Sequence, residues 1–375
     1  MASIEMAQLS HHYSNGHVGL DSIDLHIADG EFLALLGPSG SGKTTLLRTI
    51  AGFLRPTSGT LEIGGKSVAG PKSWIPPERR GLGMVFQDHA VWPHLNVASN
   101  VGYPLKRAGV PRPEINKKVT AVLEQVGLAE LAKRKPSALS GGQRQRVALA
   151  RAIVAQPQAL LLDEALSALD EPLRARLRLE LRSLTRDAGL TAIHVTHDRS
   201  EALGLADRIV VLNDGKIQQI GTAAQLLEEP ANGFVASFVS DSALFPGTLV
   251  NGRFHADHPE LRLPARTETM TGKGTRMVGT LTTAWARARR VVAAVPPTGI
   301  ELEPVPAGET TGARVTSALY GQHGYETSLD WAGTSVRVLV RGWIPSVGDL
   351  VRPVVFHAHV FSNESAPCLA TESAA

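Results

Sequence analysis

The residues Gly37-Pro38-Ser39-Gly40-Ser41-Gly42-Lys43-Thr44 fill every required position of a G-x-x-x-x-G-K-[ST] pattern. Glycines at those positions let the backbone turn its N–H groups inward. A helix opening directly behind them adds positive partial charge, so phosphate oxygens meet donors already in place. Lys43 is then placed to reach the β- and γ-phosphates of a nucleotide, and the Thr44 hydroxyl to ligate Mg2+. Further along, the apolar run Leu160-Leu161-Leu162 ends in Asp163-Glu164. Side-by-side carboxylates raise the cost of ionising both, so the pair needs a reason. Asp163 at a magnesium ion and Glu164 at an attacking water supply one; capping the next helix is the plainer alternative. Leu139-Ser140-Gly141-Gly142-Gln143 opens another helix. Ser140 is its expected N-cap, and the two glycines expose N–H groups that make a second anion site.

The elements that must hold these groups follow from periodicity. Phe32 to Leu36 (FLALL) reads as a buried, parallel-type strand ahead of the glycine loop, and Thr44 to Ala51 as a helix closed by Gly52. Met84 to Phe86, Ala159 to Leu162, Ala192 to Thr196 and Ile209 to Leu212 read as further strands. Val97 to Ala132 and Gly141 to about Ala155 read as helical. Strands alternating with helices predict an α/β domain with a largely parallel sheet. From Glu171 to Asp187 the spacing predicts an amphipathic helix, with Leu173, Leu177, Leu181 and Leu184 on one face and Arg174, Arg178, Arg182 and Arg186 on another. That arginine column is read as a solvated face rather than a nucleic-acid stripe. After Ser240 the texture changes to short alternating runs such as Val336, Val338 and Val340, which predicts an all-β domain.

Composition bounds the rest. With 375 residues, two or three domains are expected, and 43% hydrophobic against 19% charged residues excludes global disorder. The balance of 38 Lys+Arg against 35 Asp+Glu leaves +3, which argues against nucleic acid as the main partner. The single cysteine, Cys368, excludes a disulfide framework and a cysteine metal site, and suits a reducing cytosol. The start, MASIEMAQLSHHY, does not read as a signal peptide, and no apolar run approaches the ~20 residues a spanning helix needs. Any membrane role is therefore expected to run through a partner.

Taken together, the glycine loop, LLLDE and LSGGQ resemble the ATP-binding cassette ATPase family over residues 1 to about 240. The resemblance implies further assignments. Tyr13 matches the aromatic residue that stacks on adenine, and Thr45 the residue that supports the α-phosphate. Gln87, in Met84-Val85-Phe86-Gln87-Asp88, matches the glutamine that contacts Mg2+ and water and couples to a permease. Asp170, in Ser167-Ala168-Leu169-Asp170, matches the D-loop, and His197 the switch histidine at the γ-phosphate. Glu164, His197 and Gln87 are thereby the catalytic candidates. Thr44, Gln87 and Asp163 are the candidates for metal. The nucleotide is assigned to Tyr13, Gly37 to Thr45, Ser140 to Gln143 and Asp170. Ala165 stands where the family often has proline, a change expected to be tolerated.

The same resemblance implies a head-to-tail homodimer in which Ser140 and Gly142 of one copy close over ATP held by the other. It also implies integral membrane permease subunits, a periplasmic or lipoprotein solute-binding protein acting indirectly, and a peripheral place on the cytoplasmic face of the inner membrane. The expected organisation is a P-loop NTPase cassette with a helical signature subdomain over 1–240, an OB-like β regulatory domain over 241–361 and a disordered tail over 362–375. Such a β domain resembles those of importer ATPases for sugars, polyamines, ferric iron and phosphonates. The lean is to iron or polyamine. Val295-Pro296-Pro297-Thr298 departs from a V-R-P-E-like segment of relatives, and His357 with His359 lacks a third ligand, so the pair is read as a half-exposed strand face. A soluble cassette acting on ribosomes or DNA, and a catalytically silent regulatory cassette, are the alternatives from other classes. Nucleic-acid binding by the β domain is not favoured, because no aromatic platform with flanking basic residues is evident.

Overall fold

The computed structural model describes residues 2–71, 73–88, 90–166, 171–187, 189–250, 253–258, 268–271, 275–277, 289–306, 311–321, 324–340, 343 and 345–362. Ser167 to Asp170 and the tail beyond Ser362 lie outside the described residues, so the D-loop and tail expectations stand as sequence readings. Contacts group the chain into two compact units, Met1–Ala223 and Ala224–Ala375.

In the first unit the strands are β1 (Ile4–His12), β2 (Val18–Ile27), β3 (Phe32–Leu36), β4 (Ser58–Ile63), β5 (Lys66–Ala69), β6 (Leu82–Val85), β7 (Ala159–Asp163), β8 (Thr191–Val195), β9 (Arg208–Asn213) and β10 (Lys216–Gly221). The helices are α1 (Lys43–Ala51), α2 (Val97–Arg107), α3 (Arg112–Gln125), α4 (Gly141–Ile153), α5 (Glu171–Asp187) and α6 (Arg199–Leu205). A six-stranded sheet runs in the order β10-β9-β3-β8-β7-β6, and only its β10 edge is antiparallel. β3, β7 and β8 are buried at every residue because helices cover both faces of a parallel sheet. A separate antiparallel sheet, β2-β1-β4-β5, closes over α1 and shares its apolar core. Helices α2, α3 and α4 pack into their own cluster around Val101, Leu123 and Val147. That is the α/β cassette with a helical subdomain that the sequence predicts.

Helix α5 departs from expectation on its basic face. Arg174 pairs with Asp198 and Glu201, the Arg178 guanidinium donates to Ser200 Oγ at 3.1 Å, and Arg182 grips Asp207 while lying over the Phe32 ring. Arg174, Arg178 and Arg182 make a docking face against α6 and the sheet, while Arg186 stays exposed as expected. Repeats every four residues mark a helix face without saying what lies opposite it.

The second unit begins with α7 (Ala223–Glu228) at its edge and α8 (Gly233–Ser240), followed by β11 (Ala243–Val250), β12 (Arg253–Ala256), β13 (Glu268–Thr271) and β14 (Thr275–Met277). It continues through β15 (Arg289–Val295), β16 (Ile300–Pro304), β17 (Ala313–Gly321), β18 (Gly324–Trp331), β19 (Thr334–Val340), β20 (Leu350–Val355) and β21 (His359–Ser362). Two sheets form, β12-β11-β15-β21-β13-β14 and β16-β20-β17-β18-β19, consistent with an OB-like domain. Phe245 meets Trp331 edge to face at 5.4 Å in its core. His357 and His359 correct the reading of a half-exposed face. His359 is buried, and the two rings stand perpendicular with their Nε2 atoms 3.1 Å apart, one donating to the other.

Candidate nucleotide site

The glycine loop joins the buried end of β3 to the start of α1. Gly40 and Gly42 take φ of +80° and +102°, a left-handed backbone that glycine adopts without a Cβ penalty. Gly37 has a different reason: a Cβ there would stand 2.3 Å from the Leu212 carbonyl oxygen on β9. Helix α1 has no side-chain cap at its N-terminus and no acid in its first turn, so its leading N–H groups and partial positive charge face outward. Ser39 and Gly40 are exposed at the tip, Pro38 and Thr44 are half-buried, and Ser41, Gly42, Lys43 and Thr45 are buried.

Lys43 folds back over its own loop. Its Nζ donates to the carbonyls of Gly37 and Pro38, each at 2.7 Å, and reaches Ser41 Oγ at 3.4 Å. Burial lowers the ammonium pKa while the charge of Glu164 opposes the shift. A phosphate oxygen entering the loop would therefore meet a cation with its stem already ordered. Tyr13 lies beside this loop, with its hydroxyl 2.9 Å from Thr45 Oγ1 and His11 edge-on to its ring at 4.7 Å.

Strand adjacency brings the three catalytic candidates together. Because β6, β7 and β8 are parallel neighbours, the residues just past their ends emerge on one edge of the sheet. Gln87 follows β6, Glu164 follows β7 and His197 follows β8. The Gln87 amide Nε2 donates to Glu164 Oε2 at 2.8 Å, and His197 Nδ1 lies 3.3 Å from Glu164 Oε1. Glu164 takes φ of +45°, a left-handed conformation costing a non-glycine residue about 1 kcal/mol, and its N–H donates to the Val195 carbonyl at 3.0 Å. Asp163, one residue earlier, is buried. Desolvation raises its carboxyl pKa; Arg48 opposes this, and the neighbouring Glu164 charge adds to it.

For a divalent cation the donor set is a hydroxyl (Thr44), a carboxylate (Asp163) and the amide oxygen of Gln87, whose N–H already serves Glu164. Such hard oxygens fit Mg2+ held jointly with substrate phosphates. Among the described residues no cluster of three His, Cys, Asp or Glu side chains would hold a metal unaided.

Ser140 and Gln143 form a reciprocal capping box at the start of α4: Ser140 Oγ accepts from Gln143 N at 3.3 Å, and Gln143 Oε1 accepts from Ser140 N at 3.0 Å. Gly141 is half-buried and Gly142 buried. Among the described residues no hydrogen bond joins Ser140, Gly141, Gly142 or Gln143 to the Gly37–Thr45 loop, and α4 belongs to the helical cluster instead. Asp170 lies outside the described residues.

Sequence reasoning missed the support behind His197. His194, wholly buried, sets its Nε2 3.1 Å from Glu201 Oε2, and Thr196 Oγ1 donates to the same oxygen at 2.7 Å. Asp198 caps α6 through the N–H groups of Ser200 and Glu201, at 2.7 and 3.2 Å. The signal was present: residues 194 and 196 lie two apart at the end of a strand, and Asp198 with Glu201 has the spacing of an N-cap and its N3 residue.

Comparison with known proteins identifies the family. A family model described as ABC transporter matches residues 20–167. The chain is 45% identical over 263 residues to the sn-glycerol-3-phosphate import ATP-binding protein UgpC of Vibrio cholerae serotype O1, covering 70% of each chain. It is 52% identical over 249 residues, 66% of its own length, to the spermidine/putrescine import ATP-binding protein PotA of Thermobifida fusca, spanning 64% of that relative. Among solved structures it resembles the ATP-binding cassette MJ0796 in a post-hydrolysis state bound to ADP and Pi. The TM-score is 0.52 at 32% identity, over 59% of this chain and 98% of that one. The chain belongs to the ABC transporter family.

Proposed function

We propose that this chain is the ATP-hydrolysing subunit of an importer, working as a head-to-tail pair of cassettes against separate permease subunits. The observation that carries the reading is the convergence of Gln87, Glu164 and His197 on one sheet edge, with Lys43 and Asp163 close enough to act electrostatically on or beside Glu164. In the proposed reaction Glu164 orients a water and draws on its proton while the water oxygen bonds to the γ-phosphorus. The bond from that phosphorus to the β,γ-bridging oxygen breaks, and ADP leaves with the electron pair. Lys43 and the N–H groups of the loop are proposed to stabilise charge on the phosphates, and His197 to contact the γ-phosphate. Bound Mg2+, held by Thr44, Asp163 and Gln87, would neutralise charge on the β- and γ-oxygens. Tyr13 is proposed to stack on adenine and Thr45 to support the α-phosphate.

The Ser140 helix start, unjoined to the loop of its own chain, is read as the lid for nucleotide bound by a second copy, with Asp170 at the same junction. Binding and cleavage of the γ-phosphate would then shift a closed–open equilibrium and drive the permease through the Gln87 region. Among the described residues no helix is long and apolar enough to cross a membrane. The proposal places the subunit peripherally, on the cytoplasmic face, carried by such partners. The β domain is read as regulatory. For the solute, a polyamine or ferric iron is the lean. The relative named for spermidine and putrescine supports the polyamine arm, and the one named for glycerol-3-phosphate keeps other solutes in view. Phosphate release by the purified chain should fall to background in Glu164→Gln while nucleotide binding persists. A Glu164→Gln chain turning over ATP at the wild-type rate would remove Glu164 from its role.

A further inference from the structure

We infer that Glu201, which reaches neither phosphate loop nor water, is a positioning residue for His197, acting through Thr196. The inference rests on the ATPase reading above and deepens it. His197 is 63% exposed at its side chain, and its contact with Glu164 is a single one of 3.3 Å. A ring so open to solvent keeps a fixed place only if its backbone is held from both sides.

That hold is built from buried groups. Thr196, immediately before His197, is 2% exposed and donates its hydroxyl to Glu201 Oε2 at 2.7 Å. The same Thr196 oxygen accepts the backbone N–H of Asp198, immediately after His197, at 2.9 Å. One hydroxyl thus staples together the two neighbours of His197, and Glu201 fixes the direction of that hydroxyl. The Thr196 N–H is tied in turn to the Leu35 carbonyl of β3, the strand that leads into the glycine loop. Glu201 itself is 2% exposed and is held by the His194 ring on one oxygen and the Arg174 guanidinium, 3.8 Å away, on the other. His194 Nδ1 is buried without a hydrogen-bond partner, so the ring meets Glu201 through Nε2 alone. Glu201 Oε2 is therefore the common acceptor for Thr196 and His194, with the Arg174 charge beside its other oxygen. The chain of contacts runs from α5 through Glu201 and Thr196 to the backbone of His197, and from the ring of His197 to Glu164.

Displacing a catalytic contact by about 1 Å costs on the order of a hundredfold in rate. The test measures kcat, KM and ATP affinity of the full-length chain carrying Glu201→Gln, in the wild-type and His197→Ala backgrounds. Glu201→Gln should lower kcat about tenfold or more and leave ATP affinity within about twofold. In the His197→Ala background the same substitution should cause no further loss, since the group it positions is gone. Thr196→Val, nearly isosteric and lacking the staple, should reproduce the defect, and Thr196→Ser should recover the rate relative to it. A role confined to folding would instead lower the rate equally in both backgrounds, and that result overturns the inference, as does an unchanged kcat in Glu201→Gln and Thr196→Val. If the wild-type chain hydrolyses ATP and Glu164→Gln does not, the ATPase reading stands whatever Glu201 shows. Absence of hydrolysis by the wild-type chain sinks both.

Discussion

Arg80 carries a prediction that no motif suggests. It is 3% exposed, and its guanidinium donates to the carbonyls of Ile75 at 2.7 Å and of Thr49 and Ile50 at 2.8 Å. Thr49 and Ile50 sit in the last turn of α1, where the helix dipole favours a cation; the Thr49 carbonyl also accepts the Gly52 N–H at 3.2 Å. The Trp74 ring lies under the guanidinium at 4.7 Å. Arg80 thus clamps the far end of the helix whose near end forms the phosphate loop. Burial pushes its pKa down to about 10, a desolvation cost of about 3 kcal/mol. Against this, each hydrogen bond from a charged donor contributes about 2 kcal/mol, and its loss takes a strong donor from a carbonyl. Arg80→Met should therefore destabilise the first unit by about 3 kcal/mol, the bonds outweighing the relief. Arg80→Lys, a single point of donation in place of a fork, should recover only part. Urea denaturation followed by circular dichroism would read the stability, and hydrogen exchange of residues 43–52 would read the local effect. An Arg80→Met chain within about 0.5 kcal/mol of wild type, with exchange in α1 unchanged, would refute the reasoning.

Other expectations follow from the same contacts. Lys43→Ala removes the ammonium over the loop together with its bonds to the Gly37 and Pro38 carbonyls, so ATP affinity measured by calorimetry should fall about tenfold or more and the melting temperature should drop. Asp207 accepts from Arg182 and from the Phe32 N–H, and the Arg182 hydrogen bond first holds its carboxyl below the usual carboxylate range. A depressed folded pKa stabilises above the unfolded value and loses that stabilisation as pH falls through the folded one. Asp207→Asn should then cost about 1 kcal/mol near neutrality, since the pair is partly solvated, and the gap to wild type should close below about pH 3.8 in denaturation series.

What the sequence made legible was local. Phe32 to Lys43 declares a strand, a phosphate loop and a helix in consecutive residues, and the structure builds them in that order. The meeting of Gln87, Glu164 and His197 is not written in their spacing. It depends on β6, β7 and β8 lying side by side in parallel, which only tertiary packing decides. The resemblance supplied those residues without the reason they meet. The arginine column on α5 went the other way: its periodicity was visible, but the acids that meet it, Asp198, Glu201 and Asp207, come from elements distant along the chain. Ser140 shows a third case, where the plain capping role is what one copy displays and any further role waits for a second copy.

Whether nucleotide is gripped between two copies is read most directly by the mass of the Glu164→Gln chain in saturating ATP and Mg2+. Sedimentation should give about twice the 39.9 kDa of one chain, returning to a single mass when Lys43→Ala is added. A Glu164→Gln chain that binds ATP fully and still sediments at the mass of one copy would contradict it.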